Sequence, residues 1–296
     1  MTAKRLVCGL CAGLVAATVA GCRTLPSLGA NGLLHPARRP LPPLQGSAAP
    51  LVTFESGGVK LEGWRFPAAG SRRGTIVYLH GVADNRGAAA DIAPRFTVRG
   101  FEVVAYDSRA HGNSGGEVCT YGYYEKGDLQ RVLDTVDAGP IIVIGSSLGA
   151  AVALQAAAVD RRISGVVAAE AFSDLATVAR ERAPWFFSRG SIRRAFEMAE
   201  RIGGFSIADV SPVRAAQTIA VPVFLLHGSR DRETPAEHSR RIFDALAGPR
   251  RLLIVDGAGH NQSLSASWPA IEQWIDDAVL VRPKPDATLT QSPSTS

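Results

Sequence analysis

The stretch Gly145-Ser146-Ser147-Leu148-Gly149 decides the fold of this chain. It follows an apolar, β-branched run at 141–144 and precedes an alanine-rich segment at 150–159. A strand that turns sharply into a helix through the pattern G-x-S-x-G places its central serine in a strained bend, with the hydroxyl exposed beyond the strand end. The N–H groups of the helix start also favour negative charge beside that hydroxyl. The pattern predicts a nucleophile at Ser147; the alternative is a tight turn with a solvated serine.

Two later loops carry the other groups that a serine nucleophile needs. A serine hydroxyl requires a base, and the base requires a carboxylate that orients it. Asp231 follows one predicted strand, and His260 follows the last predicted strand. Because ligands of open α/β sheets bind beyond the carboxyl ends of the strands, we expect Ser147, Asp231 and His260 to meet at that edge.

Strand-like and helix-like segments alternate along the chain, which predicts an α/β fold with a doubly wound, mostly parallel sheet. Most strand candidates are continuous apolar runs, as expected of strands buried on both faces. From about 170 to 216 the alternation stops, and helical pieces rich in aromatic and arginine residues predict a short helical cap. The predicted strands are 59–66, 75–79, 101–106, 140–144, 163–168, 222–226 and 251–255.

Four motifs resemble those of the α/β hydrolases, in the short-capped branch that groups serine aminopeptidases with monoacylglycerol lipases. The segment at 79–85 resembles the oxyanion loop of that family, and the segment at 106–115 resembles its D-x-R-G-x-G-x-S loop, with Ala110 at a usual glycine. The serine turn and the two loops of Asp231 and His260 complete the set. The resemblance covers nearly all of 51–281.

This resemblance implies a role for each matched residue. Ser147 would attack an acyl carbon, His260 would transfer the proton, and Asp231 would orient the imidazole. The backbone N–H groups of Val82 and Leu148 would form the oxyanion hole. The family needs no cofactor and no metal, so the expected partner is a small-molecule acyl substrate.

Other residues offer alternative chemistry. Ser146 neighbours the predicted nucleophile, and Glu170 or Asp174 could supply the acid, because some hydrolases place it after the sixth strand. The histidines at 80, 111, 227 and 260 could be read as a metal cluster, although carboxylates that would support such ligands are not evident.

The reaction is expected to be hydrolysis of carboxylic esters, with peptide or thioester cleavage by the same triad as the alternative. A non-catalytic binding lipoprotein that uses the same fold is the least favoured hypothesis.

The N-terminus predicts export. Lys4 and Arg5 precede an apolar run at 6–20, which is shorter than the roughly 20 residues of a membrane-spanning helix. The ending Val19-Ala20-Gly21-Cys22 resembles a bacterial lipobox. We therefore expect a signal peptide at 1–21 and an acylated Cys22 that anchors the protein to a membrane of the cell envelope, outside the cytoplasm. Ordinary cleavage and secretion is the alternative.

The flanks of the domain are proline-rich. The segment 23–50 contains six prolines, so 22–50 is expected to be a lipidated, semi-extended tether, with the hydrolase domain at 51–281. The segment 282–296 is rich in Pro, Ser and Thr and predicts a disordered tail. The formal net charge of +5 is not concentrated in a basic and aromatic patch, so no nucleic-acid partner is expected.

Overall fold

The computed structural model describes residues 24–41 and 51–280. The predicted signal peptide at 1–21, the predicted lipidation position Cys22 and the predicted tail at 282–296 lie outside these residues. Among the helices within the two described segments, none is long and apolar enough to cross a membrane.

One eight-stranded sheet organises the chain, and it confirms the predicted α/β class. The strand order is β1-β2-β4-β3-β5-β6-β7-β8, with β1 and β2 antiparallel at one edge and β3 to β8 parallel. All seven predicted strands are present; the edge strand β1 was not predicted. The strands are β1 Leu51–Ser56, β2 Val59–Phe66, β3 Gly74–Leu79, β4 Phe101–Tyr106, β5 Ile141–Ser146, β6 Ile163–Ala169, β7 Val223–Gly228 and β8 Arg250–Val255.

Ten α-helices surround the sheet in the described residues, and 3-10 turns lie at Arg86–Ala88 and Ile207–Asp209. A π-helical turn at Ile275–Leu280 follows the last α-helix. The helices are α1 at 24–34, α2 Ala89–Thr97, α3 Glu125–Leu133, α4 Leu148–Ala157, α5 Leu175–Glu181, α6 Arg189–Gly203, α7 Pro212–Ala216, α8 Glu237–Ala245, α9 Ser263–Ala266 and α10 Trp268–Trp274.

The central strands are buried on both faces because their side chains alternate between two apolar layers. One layer packs against α3, α4 and α8, and the other packs against α2 and α10. Alternate residues of β3, β4 and β5 show the division: Val77, Val104 and Val143 face the first layer, and Ile76, Val103 and Ile142 face the second. Helices on both faces make the sheet doubly wound, as predicted.

The connection between β6 and β7 holds α5, α6 and α7, in the region where the sequence predicts a cap. A third apolar cluster lies beneath these helices and includes Phe172, Leu175 and Phe205. The same cluster contains Ala30 and Leu34 of α1, so the cap packs against the N-terminal segment as well as the sheet domain.

The tether prediction for 22–50 is wrong where residues 24–41 are described. Pro26, Ala30 and Leu34 are four residues apart, and all three are buried on one face of α1. A Cβ on Gly29 would lie 3.0 Å from the Cβ of Ala195 and 3.1 Å from the Phe187 ring, so glycine permits the close approach to the cap.

Hydrogen bonds also fix this N-terminal segment to the loop at 114–121. The Tyr121 hydroxyl donates to the Leu33 carbonyl at 3.0 Å, and the Cys119 amide donates to the Leu34 carbonyl at 2.8 Å. The segment is therefore an integral part of the domain.

Candidate active site

Ser147 lies in the sharp turn between β5 and α4 with a left-handed backbone, at φ 50° and ψ −108°. The turn requires both flanking glycines. A Cβ on Gly145 would lie 2.4 Å from the carbonyl carbon of Gly149, and a Cβ on Gly149 would lie 2.2 Å from the Leu79 carbonyl oxygen. The Ser147 amide donates to the Ala169 carbonyl of the neighbouring strand at 2.8 Å. The strained geometry is thus held by the sheet around it.

The structure brings Ser147, His260 and Asp231 into one chain of hydrogen bonds. The distance from Ser147 Oγ to His260 Nε2 is 3.1 Å, and that from His260 Nδ1 to Asp231 Oδ2 is 2.7 Å. Asp231 follows β7 and His260 follows β8, so both loops leave the same sheet edge as the serine turn. A Ser, His and carboxylate in this order suit proton transfer from the hydroxyl to the imidazole.

Asp231 is held in its ionised form. Burial would raise its pKa, but hydrogen bonds from His227, His260 and the Thr234 amide outweigh burial and hold the pKa well below its usual range. Its Oδ1 accepts from the Glu233 and Thr234 amides, each at 2.9 Å. Asp231 therefore remains a hydrogen-bond acceptor for His260 at neutral pH.

His227 is a supporting residue whose role the sequence did not reveal. Its Nε2 lies 2.7 Å from the Thr234 carbonyl and 3.3 Å from Asp231 Oδ2, and its Nδ1 lies 2.7 Å from Ser239 Oγ. Since the carbonyl can only accept, Nε2 carries the proton and Nδ1 accepts from Ser239. The one sequence signal for this role was the position of His227, just before the Asp231 loop.

The amides of Val82 and Leu148 lie beside the nucleophile. Within 24–41 and 51–280, neither amide has a hydrogen-bond partner. Leu148 is the first residue of α4, where the helix leaves its N–H free. Val82 follows Gly81, whose Cβ position is 3.6 Å from the Ser147 Cβ. Two free amides next to a hydroxyl can bind a developing oxyanion.

His80 orients the peptide that joins Gly81 to Val82. The Ser108 amide donates to His80 Nε2 at 2.9 Å, so Nδ1 carries the proton and donates to the Gly81 carbonyl at 2.7 Å. Because the carbonyl and N–H of a trans peptide point in opposite directions, this bond turns the Val82 N–H away from His80. Burial lowers the His80 pKa, which keeps the ring neutral for both bonds.

Neither alternative acid contacts His260. The carboxylate of Glu170 accepts from the Ser263 amide at 2.9 Å and from its hydroxyl at 2.5 Å. Asp174 caps α5 by accepting from the Thr177 amide at 2.9 Å. Both carboxylates therefore stabilise local structure.

The other candidates are also placed by the structure. Ser146 Oγ lies 3.3 Å from Asn261 Oδ1 and has no contact with the imidazole of His260. The rings of His80 and His111 pack edge to face, 5.1 Å apart. Burial and the proximity of His80 lower the His111 pKa to about 4. No group of three His, Cys, Asp or Glu residues in the described chain is arranged to hold a metal ion.

An apolar cavity of about 600 Å³ adjoins the oxyanion loop. It lies between α1, α5 and α6 and reaches Val82 and Ala83. Its walls are mainly apolar and include Leu28, Leu33, Tyr121, Phe187, Ile192 and Phe196. The sequence predicted a cap rich in aromatic residues, but it did not indicate that α1 forms one wall of a cavity beneath that cap.

Comparisons with known proteins agree with this architecture. The family model for the α/β hydrolase fold matches residues 74–211, and a model described as TAP-like protein matches residues 206–289. Protein Rv2307c of Mycobacterium tuberculosis is 30% identical over 216 residues, which cover 71% of this chain and 72% of that protein. The mitochondrial palmitoyl-protein thioesterase ABHD10 of Mus musculus is 25% identical over 222 residues, or 69% of this chain and 74% of that enzyme.

A solved structure shows the same fold. The Pyrococcus furiosus esterase Pf2001 superimposes with a TM-score of 0.67 at 23% identity, covering 83% of this chain and 99% of the esterase. Together with the sheet order and the position of the serine turn, these matches show that the chain belongs to the α/β-hydrolase family.

Proposed function

We propose that this protein is a serine hydrolase that cleaves carboxylic esters with apolar acyl groups. The observation that carries the proposal is the continuous hydrogen-bond chain from Ser147 through His260 to Asp231, beside two free amides. Because an α/β hydrolase can lose its chemistry while it keeps its fold, membership of the family would not by itself support catalysis, whereas this geometry does.

The geometry supports a two-step reaction. Ser147 Oγ attacks the ester carbonyl carbon while His260 Nε2 takes its proton, and the Val82 and Leu148 amides stabilise the negative oxygen of the tetrahedral intermediate. Collapse of that intermediate breaks the bond to the alcohol, which leaves with the proton from His260. A water molecule, activated in the same way, then hydrolyses the acyl-enzyme. Asp231 stays ionised and stabilises the imidazolium at each step.

The apolar cavity supports the choice of acyl group. Its volume of about 600 Å³ lies in the range of small-molecule sites, and its lining includes Val82, whose amide is one of the two proposed oxyanion donors. An aliphatic acyl chain would bury its methylenes there, each with a gain of about 0.8 kcal/mol. Among the residues that line it, only His35 and Arg182 carry charge-bearing groups.

Thioester cleavage is the second candidate. The same triad attacks thioesters, and the relative ABHD10 is named as a palmitoyl-protein thioesterase. Cleavage of acyl thioesters would use the same cavity. Parallel turnover measurements on decanoyl ester, decanoyl thioester and decanoyl anilide would rank the ester, thioester and peptidase-like activities of one preparation.

A fluorophosphonate probe tests the nucleophile directly. We expect the protein to be labelled and to hydrolyse p-nitrophenyl esters, and the Ser147→Ala variant to lose both properties. Ser146→Ala is the matched control, because Ser146 adjoins the nucleophile without touching His260. A folded wild-type protein that neither reacts with the probe nor turns over esters would refute the proposal.

We also propose that the hydrolase is anchored in the cell envelope through a lipid on Cys22. The support is the basic start, the apolar run at 6–20 and the small residues that precede Cys22. Metabolic labelling with an alkynyl fatty acid should modify the protein in a bacterial host, and Cys22→Ser should abolish the label. Secretion of an unlabelled protein into the medium would favour ordinary cleavage.

A further inference from the structure

The loop between α5 and α6 presents aromatic side chains to solvent. Trp185 is 94% exposed and Phe186 is about half exposed, with their rings 5.8 Å apart. Leu28 on α1 is also exposed. Such exposure is unusual for large apolar side chains that share one region, and it marks a surface that contacts another apolar phase. The other three tryptophans in the described residues are all buried: Trp64, Trp268 and Trp274.

Two of these exposed side chains form part of the rim of the apolar cavity. Leu28 and Phe186 both line that cavity, and Trp185 lies between Phe186 and Pro184, which is another of its lining residues. A Cβ on Gly29 of α1 would lie 3.1 Å from the Phe187 ring, so α1 and the loop are packed together. We call Leu28, Trp185 and Phe186 the entrance patch.

Positive charge lies next to the entrance patch. Residues 180–194 contain five arginines and one glutamate. That glutamate, Glu181, is already engaged with His238 Nε2 at 2.7 Å. A groove lined by Arg180, Arg189 and Arg193 shares Ile192 and Phe196 with the apolar cavity. An apolar patch bordered by guanidinium groups is complementary to a surface that is apolar inside and negatively charged outside.

We propose that the entrance patch and the neighbouring arginines form a docking surface for an anionic phospholipid bilayer. Tryptophan and phenylalanine insert at the level of the headgroups, and the arginines bind lipid phosphates. The entrance of the cavity then faces the acyl chains of the membrane. This surface is separate from the lipid anchor and does not depend on hydrolase activity.

The position of α1 agrees with a bilayer as the partner. The proposed lipidation position, Cys22, precedes Thr24, the first described residue of α1, by two positions, a span of at most about 7 Å. An anchor there would hold α1, and with it Leu28, against the membrane. A docking surface beside the anchor would therefore fix the orientation of the enzyme.

Tryptophan fluorescence provides the test, because Trp185 is the one exposed tryptophan in the described residues. The full chain is mixed with vesicles of phosphatidylglycerol and phosphatidylcholine, or of phosphatidylcholine alone. We expect the emission to shift to shorter wavelength with the anionic vesicles and brominated lipid to quench it. Trp185→Phe should abolish both signals while the protein keeps its melting temperature. Arg189→Glu with Arg193→Glu should weaken vesicle binding by at least about tenfold.

Val98→Asp is the matched control, because Val98 is 73% exposed and lies just before β4, at the opposite edge of the sheet. It should leave the shift unchanged. An absent shift with anionic vesicles would overturn the proposal, as would an equal loss in Val98→Asp. A shift that needs no vesicles and grows with protein concentration would instead identify a second copy of the chain as the partner, and would also overturn it.

Discussion

Backbone strain is distributed differently at the two edges of the sheet that are formed by the carboxyl ends and by the amino ends of the parallel strands. In the described residues, every non-glycine residue with a positive φ lies in a loop that follows the carboxyl end of a strand. At the opposite edge, the positive-φ positions before β3, β4 and β5 are glycines: Gly70, Gly100 and Gly139. The strained non-glycine residues are Ala83, Ala110, Tyr121, Ser147, Glu170 and Asn261.

This difference shows where side-chain chemistry outweighs backbone preference. A left-handed conformation costs a non-glycine residue about 1–2 kcal/mol, and the surrounding structure must hold it in place. At the edge without a site, glycine removes that cost. At the edge with the candidate site, Ser147 carries a side chain in spite of that cost, as its proposed role as nucleophile requires, and the sheet supplies the restraint.

Ser147→Gly should give the largest effect, because it separates the requirement for a hydroxyl from the backbone preference at the same position. The variant loses the nucleophile, so kcat should fall by about 10⁶, as in triad enzymes that lose their serine. Glycine adopts this left-handed backbone conformation without steric strain, so the free energy of unfolding should rise by up to about 1 kcal/mol. Ester turnover and chemical denaturation measure the two effects.

Ser147→Ala is the control for this comparison. It removes the same hydroxyl but keeps the Cβ, so it should be inactive without the gain in stability. Equal stability of the alanine and glycine variants would show that the turn at Ser147 stores no strain.

Asp231→Asn should have the next largest effect. The neutral amide does not stabilise the imidazolium, and its NH2 group can donate to His260 Nδ1 and so favour the wrong tautomer, so kcat should fall by about 10⁴ with the fold intact. The ratio of kcat values for variant and wild type on a p-nitrophenyl ester measures the loss. A loss of less than tenfold would mean that another group orients His260.

The pH dependence of stability tests the same carboxylate. The pKa of Asp231 is lower in the folded protein than in the unfolded chain, so its contribution is fully present above the unfolded value, near pH 4. The contribution is lost as the pH falls below that value toward the folded pKa. The difference in unfolding free energy between wild type and Asp231→Asn should therefore be constant from about pH 5 to 7 and shrink in more acidic buffer.

Gly32→Phe tests the wall that α1 contributes to the cavity. A Cβ on Gly32 would meet no atom within 4 Å, and the residue lines the cavity, so a large ring can be accommodated there. We expect kcat/KM for decanoyl esters to fall about 10- to 100-fold, with acetyl esters unaffected. Gly32→Ala should leave both substrates unchanged, since it adds only a methyl group. An equal loss with the acetyl ester would place the effect outside the acyl pocket.

The sequence predicted the sheet and the meeting of Ser147, Asp231 and His260, because both depend on sequence patterns of only a few consecutive residues. Continuous apolar runs identified seven strands, and each of the three residues lies within five positions of the end of one of them. Glycines with no space for a Cβ, such as Gly145 and Gly149, fix the turn locally. Parallel topology then brings distant loops to one edge.

The N-terminal helix was not predicted, because its stability comes from contacts that are remote in sequence. Pro26, Ala30 and Leu34 form a weak stripe among prolines and glycines, and an isolated helix of this length is marginal in water. The stripe is buried only because α6 and the 114–121 loop lie against it. The supporting role of His227 was missed for a similar reason, since it depends on which loop folds over the ring.

Ala110→Gly should give the smallest effect and tests the comparison of the two edges away from the nucleophile. Ala110 has φ 61° and is buried, in the loop whose sequence resembles the D-x-R-G-x-G-x-S motif with alanine in place of a glycine. Release of about 1–2 kcal/mol of strain is offset by the greater freedom of glycine in the unfolded chain, so we expect stability to rise by no more than about 1 kcal/mol. Ala93→Gly, in the buried face of α2, loses the same methyl group without any strain to release and should destabilise by about 1 kcal/mol. Chemical denaturation measures the free energy of unfolding of both variants. An equal loss of stability in Ala110→Gly and Ala93→Gly would mean that the backbone strain at Ala110 is too small to affect stability.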